Sequence, residues 1–226
     1  MPTVLITGAN RGIGLELARQ YAAAGWTVLA TCRTPSAATA LSDVSGDVTV
    51  LALDVDDPAS VDALAASVGD RPIDVLFNNA GININRSPSV ADIDYDAWGQ
   101  TMATNVFAPI RLAWALKDNV LASERRVFAF TSSRMASIAL NGGGNAVYRS
   151  SKTALNMAAH CLSLELAAAG AIVALFHPGH VRTDMGGSNA PVTAVDSAAG
   201  LIAEVNKLTP QDNGCFRNFD GEAFPW

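Results

Sequence analysis

The sequence predicts an α/β protein, a single domain on a doubly wound parallel sheet, and three observations predict it. Short β-branched runs alternate with longer alanine-rich segments along the whole chain. The runs are apolar throughout rather than at every second residue, which is the pattern of strands covered by helices on both faces. The first run leads straight into a glycine-rich turn, Gly8-Ala9-Asn10-Arg11-Gly12-Ile13-Gly14, ahead of a helical segment. With 226 residues, 50% of them hydrophobic and 16% charged, the chain can bury one core without staples or metals.

The elements follow in order. Residues 4–7 read as a strand, and residues 12–24 as a helix that Gly25 stops. Residues 27–32 and 48–53 are the next two strands. Pro58 opens a helix over 58–68, placed where a missing N–H does no harm. Residues 73–77 form the fourth strand, 95–117 a long helix, and 127–131 the fifth strand. A second long helix spans 147–169, the sixth strand 172–176, and the last full helix 194–208; the tail from Cys215 adds a short edge strand. Ligands of such sheets bind beyond the carboxyl ends of the strands, at the topological switch point. Every motif below follows a strand and so converges on that edge.

Composition excludes some functions. The net charge of -6 argues against nucleic acid, and no basic run is longer than Arg125-Arg126. Cys32, Cys161 and Cys215 are scattered without metal spacing and read as thiols of a reducing compartment. No apolar run approaches the ~20 residues of a membrane span. The opening Met-Pro-Thr-Val-Leu-Ile-Thr-Gly has no basic and apolar leader pattern, so a cytoplasmic location is expected.

The first motif is Thr7-Gly8-Ala9-Asn10-Arg11-Gly12-Ile13-Gly14. Its glycines allow a tight turn and close backbone approach to a pyrophosphate, while the helix that follows aims free N–H groups at the anion. The spacing T-G-x-x-x-G-x-G resembles that of the short-chain dehydrogenase/reductase family, and the resemblance runs over essentially the whole chain. It implies a Rossmann-like fold, a nicotinamide cofactor, and hydride transfer between cofactor and a carbonyl or alcohol.

The choice of cofactor is read from the second strand, which ends in Cys32-Arg33 with no acid to bind a ribose 2′-hydroxyl. A guanidinium suits a 2′-phosphate. Arg33, with Arg11 as a second candidate, therefore predicts NADP(H) in preference to NAD(H). After the third strand come Asp54 and Val55. The resemblance places them at the adenine, whereas the residues alone allow Asp54 to be a helix-entry residue before Pro58. Asn78-Asn79-Ala80-Gly81 follows the fourth strand and matches the family's N-N-A-G element. By the resemblance, Asn79, Ala80 and Gly81 line the cofactor.

Tyr148 and Lys152, four residues apart at the start of a helix, share one face. A free tyrosine, with a pKa of ~10, is a poor base at neutral pH. A nearby ammonium and an oxidised nicotinamide favour its phenolate, which would let it exchange a proton with a substrate oxygen. Such a pair occurs by chance in many helices, and its meaning comes from context. Thr131-Ser132-Ser133 ends the fifth strand. The resemblance makes Ser133, rather than Ser132 or the more distant Ser137, the hydroxyl that binds the substrate oxygen. It also makes Asn105 the holder of a water linked to Lys152. After the sixth strand, His177-Pro178-Gly179-His180-Val181-Arg182-Thr183 matches the family's P-G-x-V-x-T element. That match puts Pro178, Gly179, Val181 and Thr183 at the nicotinamide. His177 and His180 lack a third ligand with usable spacing for a metal.

The substrate loops are expected after the fifth and sixth strands. The first contains Arg134, Met135 and the mobile-looking Asn141-Gly142-Gly143-Gly144-Asn145; the second, 185–195, reads as a lid around Gly186-Gly187. Neither carries a conspicuous charge cluster, so the expected substrates are aldehydes, ketones or quinone-like carbonyls. Ser132-Ser133-Arg134-Met135-Ala136-Ser137-Ile138 and the ending Gly221-Glu222-Ala223-Phe224-Pro225-Trp226 resemble the C-factor-like carbonyl reductase branch. Some of its members are linked to intercellular signalling, so a signalling or binding protein with a retained cofactor site is the rival reading. Leu155, Met157, Leu162, Leu164 and Leu166 lie around much of the second long helix. One face of it is expected to be buried in another subunit of a homodimer or homotetramer.

Overall fold

The computed structural model describes residues 1–86 and 89–226. Seven strands form one sheet in the order β3-β2-β1-β4-β5-β6-β7, and every pairing is parallel. β1 (Thr3–Ile6) starts at the centre, and β2 (Thr27–Cys32) and β3 (Val48–Ala52) build outwards on one side. β4 (Val75–Asn78), β5 (Val127–Thr131), β6 (Ile172–His177) and β7 (Cys215–Asn218) build outwards on the other. The chain reverses direction of growth between β1 and β4, so the turns after these two strands flank the crevice where ligands of such sheets bind.

Alternate residues of each strand feed two cores. Val4, Ile6, Val28, Phe77, Ala174 and Phe176 pack with Leu17 and Tyr21 of α1 (Gly12–Ala23) and with Leu201 and Val205 of α8 (Ala194–Lys207). On the opposite face Leu5, Leu29, Leu76, Phe128 and Phe130 meet α3 (Pro58–Val68), α5 (Ala108–Ala115) and α7 (Ala146–Leu166). Both sides of the central strands are thus dry, as their uninterrupted apolar runs require.

The expected helix over 95–117 is not continuous. α4 (Tyr95–Met102) runs into a π-helical turn, Ala103–Phe107, before α5, and α6 (Lys117–Leu121) is separate. In the π turn the Ala108 N–H reaches the carbonyl of Ala103 rather than that of Thr104. One residue is inserted into the spiral, so hydrophobic periodicity still reads as helix on both sides of it. Such turns concentrate at functional sites, and the inserted segment contains Asn105. Sequence reading also missed α2 (Thr39–Ser42), whose single turn is too short to show a period. The edge strand expected after Cys215 is present as β7.

The crossover from β1 to α1 is fixed by sterics. A Cβ on Gly14 would lie 2.3 Å from the Gly8 carbonyl oxygen and 2.7 Å from Asn79 Nδ2, whereas one on Gly99 in α4 would meet nothing within 4 Å. An alanine in a helix is otherwise ~1 kcal/mol better than glycine. Gly99→Ala should therefore raise the melting temperature slightly, while Gly14→Ala should lower stability by ~1–3 kcal/mol. Thermal melts of the two variants give opposite signs if the turn is as tight as described.

Candidate active site

Thr7 holds the centre of the crevice together. Its hydroxyl accepts the backbone N–H groups of Asn79 (2.9 Å) and Ala80 (2.9 Å), and Asn79 Nδ2 donates back to the Thr7 carbonyl at 3.0 Å. The glycine turn is thereby locked to the turn after β4. Gly8, at φ +64°, passes so close that a Cβ would lie 3.2 Å from Ala80 Cα. Gly12, at φ +54°, sits equally close to the Thr183 methyl from the turn after β6. The Arg11 side chain at the N-terminus of α1 makes no capping hydrogen bond. The first N–H groups of α1, from Gly12, Ile13 and Gly14, are left without a side-chain acceptor, in a cradle that only glycines leave open. This is the arrangement that receives a pyrophosphate, so the residues present fit a dinucleotide.

The sequence-predicted rim residues lie along the same edge. Asn10 and Arg33 are exposed. Arg11 pairs with Asp184 at 2.9 Å, but both side chains are more than two-thirds exposed, so the pair is weak. The two readings of Asp54 separate: Asp57, not Asp54, caps α3, accepting the Ala59 N–H at 3.0 Å. Asp54 turns its own Oδ1 to the Asp56 N–H and stays exposed at the end of β3. Val55 shares the lining of a small internal cavity with Thr7, Asn78 and Ala80.

Beside this cradle lie Tyr148, Ser133, Lys152 and Asn105. Tyr148 occupies the first turn of α7, with the Ser133 hydroxyl near enough to its phenol to favour the phenolate. Ser132 faces the other way and donates to Asn156 Oδ1 at 2.5 Å, in the interior. Ser137 is taken up by a turn, accepting the Leu140 N–H at 3.1 Å. Lys152 Nζ lies 5.9 Å from the centre of the Tyr148 ring and donates to the Thr131 carbonyl at 2.8 Å. Asn105 Oδ1 accepts the Ile82 N–H at 2.8 Å, and its Nδ2 donates to the Ile82 carbonyl (2.9 Å) and to Ser151 Oγ (3.0 Å). A Cβ on Gly81 would stand 3.1 Å from Asn105 Oδ1 and 3.4 Å from Lys152 Nζ, so the absence of a side chain lets these groups converge. The Asn105 amide is therefore spent on holding the loop after β4 against α7.

The electrostatics of Tyr148 and Lys152 are set mainly by burial. Burial pushes the Tyr148 phenol up to about 12, against the smaller downward influences of the Ser133 hydrogen bond and the Arg86 guanidinium. Burial also pulls Lys152 down to about 8. The lysine ammonium is directed at the Thr131 carbonyl rather than at the phenol, and it is itself disfavoured by desolvation. His177 is held down to about 4, by burial first and then by Arg134 and His180. Among the described residues no group of three His, Cys, Asp or Glu is placed to hold a metal.

The turn after β6 is tightly built rather than loose. The Pro178 carbonyl accepts Ser197 Oγ at 2.6 Å, Gly179 adopts φ +86°, and buried Val181 bridges to Val192. Thr183 Oγ1 accepts the Gly186 N–H at 3.1 Å, and a Cβ on Gly186 would collide with the Val181 carbonyl at 1.9 Å. In the loop after β5, Arg149 Nε binds the carbonyls of Gly143 (3.1 Å) and Gly144 (2.9 Å). Two features escaped the sequence. Arg86, from the loop after β4, donates to the Met185 carbonyl of the expected lid. The tail docks Trp226 on Phe216 and accepts the Ala139 N–H at 3.1 Å. No periodicity or motif marks either contact.

The comparisons agree with this geometry. Residues 2–192 match the family model described as short chain dehydrogenase. The C-signal protein of Myxococcus xanthus is 38% identical over 165 residues, which cover 73% of this chain and 99% of that protein. The solved structure of the carbonyl reductase Sniffer of D. melanogaster has a TM-score of 0.93 at 35% identity, with 100% of each chain covered. The NADPH-bound carbonyl reductase from chicken fatty liver has a TM-score of 0.91 at 33% identity, covering 100% of this chain and 99% of that one. By its family match, its sheet and its sequence relatives, the chain belongs to the short-chain dehydrogenase family of oxidoreductases.

Proposed function

We propose that this chain is an NADPH-dependent carbonyl reductase acting on aldehydes or ketones, with the corresponding alcohols as substrates of the reverse reaction. The observation that carries the reading is the Tyr148 phenol, set next to the Ser133 hydroxyl and Lys152 at the mouth of the dinucleotide cradle. The phenol is neutral at pH 7, the form required to donate a proton to a carbonyl oxygen. Ser133 orients that oxygen by hydrogen bonding, and Lys152 restores the proton from the interior side. Asn105 positions the loop after β4 against the helix that carries Lys152, and we keep for it the link to Lys152 through a water. When bound, NADPH supplies the hydride. Gly8, Asn10, Gly12, Ile13 and Gly14 would hold its pyrophosphate. Asp54, Val55, Asn79, Ala80 and Gly81 would line its adenosine half, and Pro178, Gly179, Val181 and Thr183 its nicotinamide half. The convergence of Ser133, Tyr148 and Lys152 favours an enzyme over a signalling protein with a silent cofactor site.

Cofactor preference rests on Arg33, exposed after β2 with no carboxylate partner among the described residues. Its guanidinium is free for a 2′-phosphate, with Arg11 as second donor and NAD(H) as the weaker cofactor. We also propose a homodimer or homotetramer. Leu155, Leu162 and Leu166 are buried within the domain, but Met157 and Leu164 of α7, Phe107 of the π turn and Trp114 of α5 stay exposed. A cytoplasmic location accords with three free cysteines.

Tyr148→Phe should lower kcat for aldehyde reduction by ~100- to 10,000-fold while NADPH still binds, as followed by its fluorescence. Unchanged turnover would refute the assigned proton donor. Arg33→Ala should raise the KM for NADPH by ~10- to 100-fold, the worth of a charge-assisted hydrogen bond, with little change for NADH. A wild-type preference for NADH would overturn the cofactor assignment.

Lys152 also makes a stability prediction. Its pKa is about 8 in the fold against 10.5 for a lysine free in water. Between these values the unfolded chain holds a proton that the folded protein has shed, so this group makes stability rise with pH there, and its full cost is felt below pH 8. The gap corresponds to ~3 kcal/mol at pH 7. Lys152→Met should therefore melt higher than the wild type at pH 7, and the difference should shrink as pH climbs above 8. A difference independent of pH would show that the lysine is not desolvated.

A further inference from the structure

The loops around Tyr148 carry more positive charge than either loop shows alone. Arg86 enters from the loop after β4, Arg134 follows Ser133 after β5, and His180 lies in the turn after β6. All three are exposed, and among the described residues neither arginine is paired with a carboxylate. In a chain of net charge -6, two exposed arginines without carboxylate partners stand out on the loops that follow β4 and β5. The nearby acids do not cancel them: Asp184 is engaged by Arg11, and Asp220 faces His177. Arg149, the other cation of this region, is tied to the Gly143 and Gly144 carbonyls.

Arg86 is the best placed of the three. It spans from its own loop to the Met185 carbonyl, tying the loop after β4 to the loop after β6. Its charge is felt at Tyr148 itself. The bond to Met185 occupies one terminal nitrogen of a group with five N–H donors, leaving paired donors for a planar anion. Resting on the reductase reading, we propose that Arg86 is a specificity-determining residue that receives a carboxylate carried by the carbonyl substrate, remote from the carbonyl that is reduced. The preferred substrates are then oxo acids rather than neutral ketones and aldehydes, with Arg134 adding to the attraction.

The test uses para-carboxybenzaldehyde and para-methylbenzaldehyde, nearly equal in shape and different in charge. Wild-type protein with NADPH should show a higher kcat/KM for the carboxylate. Arg86→Gln should shrink the ratio of the two by ~10- to 100-fold, mainly through the KM of the carboxylate, and Arg86→Lys should recover part of it. Binding of both aldehydes to the NADPH-loaded Tyr148→Phe protein, with and without Arg86→Gln, gives a readout independent of turnover. Reduction of both aldehydes with no Arg86-dependent preference would overturn the carboxylate site and leave the reductase reading standing. Arg86-dependent binding of the carboxylate without any turnover by the wild type would do the reverse.

Discussion

One buried amide fixes the geometry of the reacting edge. Asn105, 1% exposed, satisfies both the N–H and the carbonyl of Ile82 and also reaches Ser151 on α7. Three elements that are far apart in sequence are thereby clamped by a single side chain: the loop after β4, the π turn and the helix that carries Tyr148 and Lys152. The π turn is what points Asn105 at this junction, since one inserted residue rotates the following side chains by about a quarter of a turn relative to an α-helix. Gly81 is the counterpart of the clamp. Any Cβ there would press on the amide and on Lys152 together. An apolar residue at 105 would leave the Ile82 groups unpaired in the interior, the costly side of the hydrogen-bond asymmetry.

With that clamp in place, burial sets the protonation of the reacting groups. The same desolvation raises the phenol to about 12 and lowers the ammonium to about 8, so it weakens the charge on each. A free phenolate–ammonium pair is not the resting state of this edge. The phenol is raised by burial against the smaller opposing influence of the Ser133 hydroxyl, and the ammonium is lowered by burial alone.

Much of this was legible in the sequence because it is written in residue types that few other roles explain. The order of strands and helices follows from uninterrupted apolar runs, and the glycine turn from three glycines whose missing side chains are each required. The choice of Ser133 over Ser132 came from resemblance; in the structure Ser132 turns inward to Asn156, and adjacent residues leaving a strand point to opposite sides. What could not be read has a physical reason in each case. The π turn keeps helical periodicity on both sides of itself. Burial raises the phenol and lowers the ammonium, and no period or motif in the sequence reports the burial of either group. Arg86 lies in a loop with no period and meets Met185 across 99 residues of sequence.

The two ends of the site are held by different forces, and this bears on how they can change. At the cofactor end, backbone atoms lie where side chains would be, at 2.3 Å from a Gly14 Cβ and 1.9 Å from a Gly186 Cβ. Backbone cannot yield cheaply, so almost any substitution there displaces the turn that cradles the dinucleotide. At the substrate end, Arg86, Arg134 and His180 are exposed and rooted in loops that do not carry the core. Arg86 and His180 hold only loop carbonyls, those of Met185 and Gly186. On the proposed carboxylate site, substrate charge preference would shift by single surface substitutions, while the side chains of Ser133, Lys152 and Asn105 stay fixed in the interior.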